Sequence, residues 1–328
     1  MMRRAQFVED RTLVRDRAVG GLVGLAVGDS FGDAARMQAN REGYGFITDF
    51  NAGATWSTDD TEFALLTAKT LIACDGKLTT DDVVAAWFED VVVQDEFKRG
   101  GASEIAAAIN LRRGLRPPQS GKFNTFHMSD GTAMRIPPVG IICAGEPEEA
   151  AKMAEIDATI SHFGDGVWGA QAVAAAVAVA MVDGSFEEIF DAALSQIPSD
   201  SWLYHNMKRA FSIIEEADGS ILNSWMQLHD EIRASTWATT AEAIPAAFAC
   251  LKLEHSDFKP GLVLAGNFAR DADTIGAVAG AILGAKYGLS AIPKHWVEKV
   301  RYPSGTCLQF TKGIDIVAMG EQLADLIR

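Results

Sequence analysis

Two short acidic stretches hold the residue types and spacings most suited to chemistry. The first is Trp56-Ser57-Thr58-Asp59-Asp60-Thr61-Glu62, and the second is Asn267-Phe268-Ala269-Arg270-Asp271-Ala272-Asp273-Thr274. Each runs straight into a segment with apolar residues at helical spacing, so each belongs at a helix N-terminus. Helix capping alone accounts for Ser, Thr and Asp there, because a side-chain oxygen can accept from an unpaired backbone N–H and a carboxylate suits the positive helix end. Capping uses one oxygen, however, and each turn supplies two aspartates and a threonine. Carboxylates held a few ångströms apart repel unless a cation or a proton lies between them. Thr58, Asp59 and Asp60 with Asp271, Asp273 and Thr274 make an all-oxygen set lacking His and Cys, which Mg²⁺ or Mn²⁺ favours over zinc. Neighbouring aspartates on a helix point about 100° apart and can serve different ions, so six ligands on two turns suggest a two-metal site.

Positioning these turns falls to helices. Apolar residues recur at i, i+3 and i+4 over 18–29, 61–74, 81–93, 148–157, 168–181, 186–194, 204–217, 241–253, 274–287 and 320–327, and strand-like alternation is hard to find. Gly20, Gly24 and Gly28, and again Gly276, Gly280 and Gly284, repeat at intervals of four. Glycine costs about 1 kcal/mol inside a helix, so its repetition needs a reason such as close backbone packing. The expected fold is all-α, a tightly packed globule with the Gly/Ala-rich helices at its centre. No linker or low-complexity tract divides residues 1–328, which are expected to form a single domain.

Composition narrows the function classes. The chain has 328 residues, 48% hydrophobic and 22% charged, which is a globular balance. A net charge of −15 repels phosphate backbones and anionic headgroups, so neither nucleic acid nor a membrane surface is expected as a partner. Cys74, Cys143, Cys250 and Cys307 are dispersed and form no C-x-x-C pair, as reduced cytosolic thiols would be. The first twenty residues carry charges and no apolar core of a signal peptide, and the longest apolar run, Val167–Val182, is short for a bilayer span. A cytoplasmic protein is expected. Gly121-Lys122 lacks the upstream glycine and the Ser/Thr of a P-loop.

Five segments, taken in order, make the chain resemble the ADP-ribosylglycohydrolases, the family of dinitrogenase-reductase-activating glycohydrolase and the ADP-ribosylarginine hydrolases. They are Gly24-Leu25-Ala26-Val27-Gly28-Asp29-Ser30-Phe31-Gly32, Ser57 to Glu62, Ser129-Asp130-Gly131-Thr132-Ala133-Met134-Arg135, Ser161-His162-Phe163-Gly164-Asp165, and Arg270-Asp271-Ala272-Asp273-Thr274-Ile275-Gly276. The resemblance implies an all-α fold, a compact orthogonal helical domain with Gly/Ala-rich central helices and a central dinuclear metal cleft holding two Mg²⁺ or Mn²⁺ ions. It assigns metal ligation to Thr58, Asp59, Asp60, Asp271, Asp273 and Thr274. It implies substrate-binding roles for Gly131, Thr132, Ala133, Met134, Arg135 and His162. Plainer roles stand beside these: His162 as a hydrogen-bonded structural residue, Gly131 as a turn former, Met134 as core. Arg135 could supply a phosphate with a local donor in an acidic protein, and Asp29 suits either a helix C-terminal turn or the cleft. Two departures are visible. Ala272 replaces a frequent threonine between the ligating aspartates, and Arg36 stands where many members carry glutamate.

The implied reaction is hydrolysis of an N- or O-glycosidic bond to an ADP-linked ribose, through an oxocarbenium-like state. Asp60 is the provisional catalytic base for the attacking water. One reading is removal of ADP-ribose from a protein or small-molecule conjugate. A second is hydrolysis of a small riboside or other N-glycoside. A third is a catalytically silent, crystallin-like member, which would have no need of six converging oxygens. If Arg36 lines the cleft, it should disfavour the guanidinium of an arginine adduct.

Overall fold

The computed structural model describes residues 4–37, 42, 45–50, 57–94, 97–98 and 100–328; Trp56, which opens the first acidic stretch, lies outside them. Among the described residues there are seventeen α-helices, two short 3-10 turns and no strand, only one isolated bridge between Ser129 and Thr239. Each of the ten expected helices is present. The largest difference is the first, which runs over Arg11–Arg36 rather than ending at Asp29.

Helices that periodicity did not disclose include Ala102–Arg112, Ile221–Glu231 and Phe258–Gly266. The last begins Phe-Lys-Pro-Gly, and those breakers mask it in the sequence. Pro260 stands in the first helical turn, where its missing N–H would have had no partner in any case.

Two glycine helices form the spine, Arg11–Arg36 and Ala272–Tyr287. They run antiparallel, with Gly20, Gly24, Gly28 and Gly32 lying in order against Gly284, Gly280, Gly276 and Ala272. A Cβ on Gly24, Gly28 or Gly32 would fall far inside the van der Waals radius of the facing backbone carbonyl oxygen. No side chain could rotate away to relieve that clash, since the opposing atoms are main chain. The periodic glycines therefore mark backbone-on-backbone contact. Around this pair the apolar side chains form one contiguous buried cluster, to which Asp165–Met181 and Thr240–Leu253 add two Ala-rich helices.

Candidate metal centre

The first acidic turn opens the helix Asp59–Ala73. Thr58 is its N-cap and accepts a 3.3 Å bond from the Asp60 backbone N–H. Capping is thus accomplished by the threonine alone, and neither Asp59 nor Asp60 is needed for it. Glu62 fixes this turn from behind. Its buried carboxylate accepts from the backbone N–H groups of Thr306, Cys307 and Leu308 at 3.1, 3.0 and 2.7 Å, and from Ser57 Oγ at 2.6 Å.

Asp29 secures the turn to the spine. It lies within the first glycine helix, fully buried, and accepts from Thr58 Oγ1 and N at 2.7 and 3.0 Å and from Thr61 Oγ1 and N at 2.5 and 3.2 Å. Burial outweighs these donors and raises its carboxyl to about 6. The helix-end reading of Asp29 is corrected, because the helix continues two further turns to Arg36.

The second turn begins the other spine helix. Asp271 occupies the N-cap position there without making a capping bond. Ala269 and Arg270 immediately before it both have positive φ, 73° and 57°, a left-handed conformation that non-glycine residues rarely adopt and that concentrates at functional sites. This kink and the spine register bring Asp273 to the first turn: one carboxylate oxygen from each of Asp29, Asp60 and Asp273 lies within 4.8 Å of the others, and all three residues are buried. Thr274, also buried, follows Asp273 at the same helix start.

The carboxylates are strongly frustrated. Burial, then repulsion from Asp273 and Asp29, raises the Asp60 carboxyl well above its usual range. Burial and Asp271 do the same to Asp273, and burial and Glu104 to Asp59. Asp60 Oδ1 is buried without a hydrogen-bond partner, a costly arrangement for an acceptor unless a cation or proton meets it. Asp130 joins the cluster from the loop before Gly131. Burial raises its carboxyl to about 7, and its Oδ2 is likewise unpartnered. An orphaned buried acceptor among hard oxygen donors fits a divalent cation such as Mg²⁺ or Mn²⁺.

Arg36 reaches this cluster from the last turn of the first glycine helix. Its Nη1 meets Asp273 Oδ1 at 2.6 Å and Asp271 Oδ1 at 3.2 Å, its Nη2 meets Asp273 Oδ2 at 2.6 Å, and Nη2 and Nε meet Asp33 Oδ1 at 3.0 and 3.2 Å. The expectation that Arg36 offers its charge to a substrate is therefore corrected: the guanidinium faces three aspartates of its own chain.

The Gly131–Arg135 loop and His162 come together behind the carboxylates rather than among them. A Cβ on Gly131 would collide with Glu104, so the loop backbone passes directly over that carboxylate. Thr132 donates to the Gly166 carbonyl at 2.5 Å, and Ala133 and Met134 are buried in the core. Arg135 is fully buried, with Nε on Asp157 Oδ1 at 2.7 Å, Nη2 on Ser161 Oγ at 3.0 Å and Nη1 on the Gly131 carbonyl at 3.1 Å. Its expected phosphate contact is corrected to an internal brace. His162 is also fully buried, hydrogen-bonded through Nδ1 to Ser161 and through Nε2 to Ser129, and burial keeps it neutral by lowering its pKa well below the ordinary value. From Ser129 the chain of hydroxyls continues through Ser103 to Glu104 at 2.8 and 2.6 Å. The plainer, structural reading of His162 holds for its side chain.

Asp33, Glu104 and Asp130 belong to the cluster and were not singled out from the sequence. Asp33 and Asp130 stand beside motif glycines, Gly32 and Gly131, and that adjacency was the available signal. Glu104 sits on a helix that periodicity did not disclose and had none.

Similarity to known proteins extends over nearly the whole chain. The sequence profile of the ADP-ribosylglycohydrolases matches residues 10–328. The chain belongs to the ADP-ribosylglycohydrolase family. An uncharacterized protein of Archaeoglobus fulgidus is 31% identical over 85% of this chain and 90% of its own. The ADP-ribosylarginine hydrolase Tri1 of Pseudomonas putida is 27% identical over 88% of this chain and 75% of its own, and the ADP-ribosyl-[dinitrogen reductase] glycohydrolase of Rhodospirillum rubrum is 24% identical over 88% and 91%. A solved structure of an ADP-ribosylglycohydrolase-related protein complex shares the fold, with a TM-score of 0.67 at 22% identity, covering 97% of this chain and all of that one. Among the described residues no helix is long and apolar enough to cross a membrane.

Proposed function

We propose that this family member is a divalent-metal-dependent hydrolase that releases ADP-ribose from a protein or small-molecule conjugate. The observation that carries the reading is the buried, unpartnered Oδ1 of Asp60, a residue whose carboxylate gathers with those of Asp29 and Asp273. Thr58, Asp59, Asp60, Asp271, Asp273 and Thr274 would hold Mg²⁺ or Mn²⁺. When bound, such an ion supplies Lewis acidity and lowers the pKa of a water molecule. Asp60 is our provisional choice to accept that water's proton; burial and the neighbouring carboxylates Asp273 and Asp29 raise its own carboxyl well above the ordinary carboxylate range. Asp29 holds the Thr58 turn in register with the spine, and Glu62 holds it to the 304–308 segment, so the ligands are fixed before substrate arrives.

A cavity of about 430 Å³ opens beside the second turn, lined by Trp225, His229, Phe268 and Arg270 among others. We assign it to the part of the substrate remote from the ribose, aromatic walls suiting a flat ring. The Gly131–Arg135 loop we assign to the substrate side of the Glu104 carboxylate, with Arg135 and His162 bracing it from within. The net charge of −15 and the dispersed, unpaired cysteines support a soluble cytoplasmic protein without nucleic-acid partners.

Because Arg36 is held by Asp33, Asp271 and Asp273, it gives no reason to exclude arginine adducts, and two relatives bear names for acting on ADP-ribosylated arginine or dinitrogen reductase. The test is a hydrolysis panel of ADP-ribosyl-arginine, ADP-ribosyl-serine, O-acetyl-ADP-ribose and nucleosides, with Mn²⁺ or with chelator. Release of ADP-ribose from at least one conjugate, lost on chelation and in Asp60→Asn, is expected. Turnover of nucleosides alone would establish the riboside reading, and no turnover of any compound would leave the silent member.

A further inference from the structure

The carboxylate cluster divides into two halves that are charged alike and compensated differently. In one half, Asp33, Asp271 and Asp273 surround the Arg36 guanidinium, and all three of its nitrogens are engaged. The contact with Asp273 is a parallel two-point pair at 2.6 Å on each arm, the geometry in which a planar guanidinium matches a carboxylate best. In the other half, Thr58, Asp59 and Asp60 meet no arginine or lysine among the described residues, and Asp60 Oδ1 is the orphan. Asp273 joins the halves: it holds Arg36 while lying within 4.8 Å of Asp29 and Asp60. The flat face of Arg36 is backed by the Trp237 ring, 5.7 Å from its centroid, which limits the directions in which the side chain could leave. Since Arg36 stands on the last turn of the spine helix, its Cα is held by the same glycine contacts that hold Asp29.

We propose that the Arg36 guanidinium is a tethered cation occupying the Asp33–Asp271–Asp273 half of the centre, so that this chain takes a single divalent ion, in the Thr58–Asp59–Asp60 half, where the ligand set alone suggests two. The guanidinium brings one positive charge and donors in a fixed plane to a place where a second divalent ion would need the same oxygens. An ion entering there would have to displace the guanidinium from a bidentate, partly buried ion pair, and a buried ion pair is costly to break from one side. The charge that a second ion would contribute is then permanent, supplied by the chain itself, and independent of metal concentration.

The inference rests on the metal-binding reading above, and counting ions separates the two. The apoprotein is dialysed against Mn²⁺, bound metal is counted by elemental analysis against protein concentration, and the bound ions are examined by electron paramagnetic resonance. Wild type is expected to bind one Mn²⁺ per chain, with the six-line signal of an isolated ion. Arg36→Glu, which removes the cation and adds an oxygen ligand, is expected to bind two per chain, with the signal replaced by that of a spin-coupled pair as ions about 3.5–4 Å apart would give. Arg36→Gln, nearly isosteric and neutral, serves should the glutamate variant fail to fold, and should bind its second ion more weakly than Arg36→Glu but measurably. Two coupled ions in wild type, or one ion in wild type and in every folded variant, would overturn the proposal while leaving metal binding intact. No bound ion in any of the proteins would overturn the metal reading itself.

Discussion

The two spine helices lead different lives at their two ends. Toward Gly20 and Gly284 they pack main chain against main chain, and the charges there are paired, Arg17 and Lys286 with Asp183 and Asp16 with the Ser290 backbone. Toward Arg36 and Asp271 the same pair carries Asp29, Asp33, Asp271 and Asp273, crowded so closely that burial and mutual repulsion push several of them far from their ordinary ionisation. One end is optimised for packing, and the other is held in an arrangement that packing alone would never select. The comparison shows how a fold retains a repulsive site: rigid, side-chain-free contact at one end fixes the geometry, and a cation at the other neutralises the charge. Stability and function are thereby assigned to different stretches of the same two helices.

The comparison breaks most visibly if the end at Gly20 and Gly284 is not rigid. Gly20→Ala should lower the unfolding free energy by about 4 kcal/mol, at the upper end for a single substitution, because its methyl would meet the Gly284 carbonyl and the Gly288–Leu289 main chain, and no side chain can yield. Gly21→Ala, whose nearest obstacle is the tip of the Ile141 side chain at 3.0 Å, should cost about 1 kcal/mol or less. Urea unfolding of both variants decides the matter, and equal effects would mean that the glycine register is not what holds the spine.

At the charged end the sign should reverse. Asp60→Asn removes one repelling carboxylate while its amide could still serve Thr58 and Asp273, so the metal-free protein should gain about 1–2 kcal/mol even as Mn²⁺ binding is lost. A lower melting temperature in chelator would show that Asp60 is already well compensated and that the frustration is overstated.

The smallest effect is the pH dependence. Asp29 and Asp130 have folded values raised to about 6 and about 7, above the unfolded carboxylate range near 4. The folded state then binds more protons than the unfolded one, and the stability this confers is lost as pH rises through those values. Metal-free protein should therefore lose on the order of 1 kcal/mol between pH 5 and pH 8, and saturating Mn²⁺ should flatten or invert the slope. A metal-free stability that rises over that window would contradict the assignment.

Much of this was legible in the residues. Periodicity disclosed ten of the helices, the four-residue glycine spacing disclosed the spine, and the two acidic turns pointed to the carboxylate cluster. The rest was hidden for physical reasons. Phe258–Gly266 begins with breakers, and Glu104 reaches the site from a helix whose exposed and buried faces are weakly distinguished. Arg36 could be placed near the cleft by its position after Gly32, yet only the folded arrangement shows it turned toward Asp271 and Asp273. Arg135 and His162 stand in motifs, and motifs do not tell whether a polar side chain faces the cleft or braces the loop that forms it.

The glycine spacing has one more consequence, for how the chain finds its alignment. An interface that repeats every four residues is nearly degenerate: sliding one spine helix by a single repeat, about 6 Å, would again set glycine against glycine over most of its length. The repeating part of the sequence is thus a ruler without a zero mark. Its aperiodic ends supply the mark. Only in the native alignment does Arg36 fall beside both Asp271 and Asp273, and only there does Asp16 reach the Ser290 backbone N–H at the far end. A slipped alignment would leave those aspartates facing one another with no cation between them, so the ion pair that complicates the site also rejects the fold's nearest impostor.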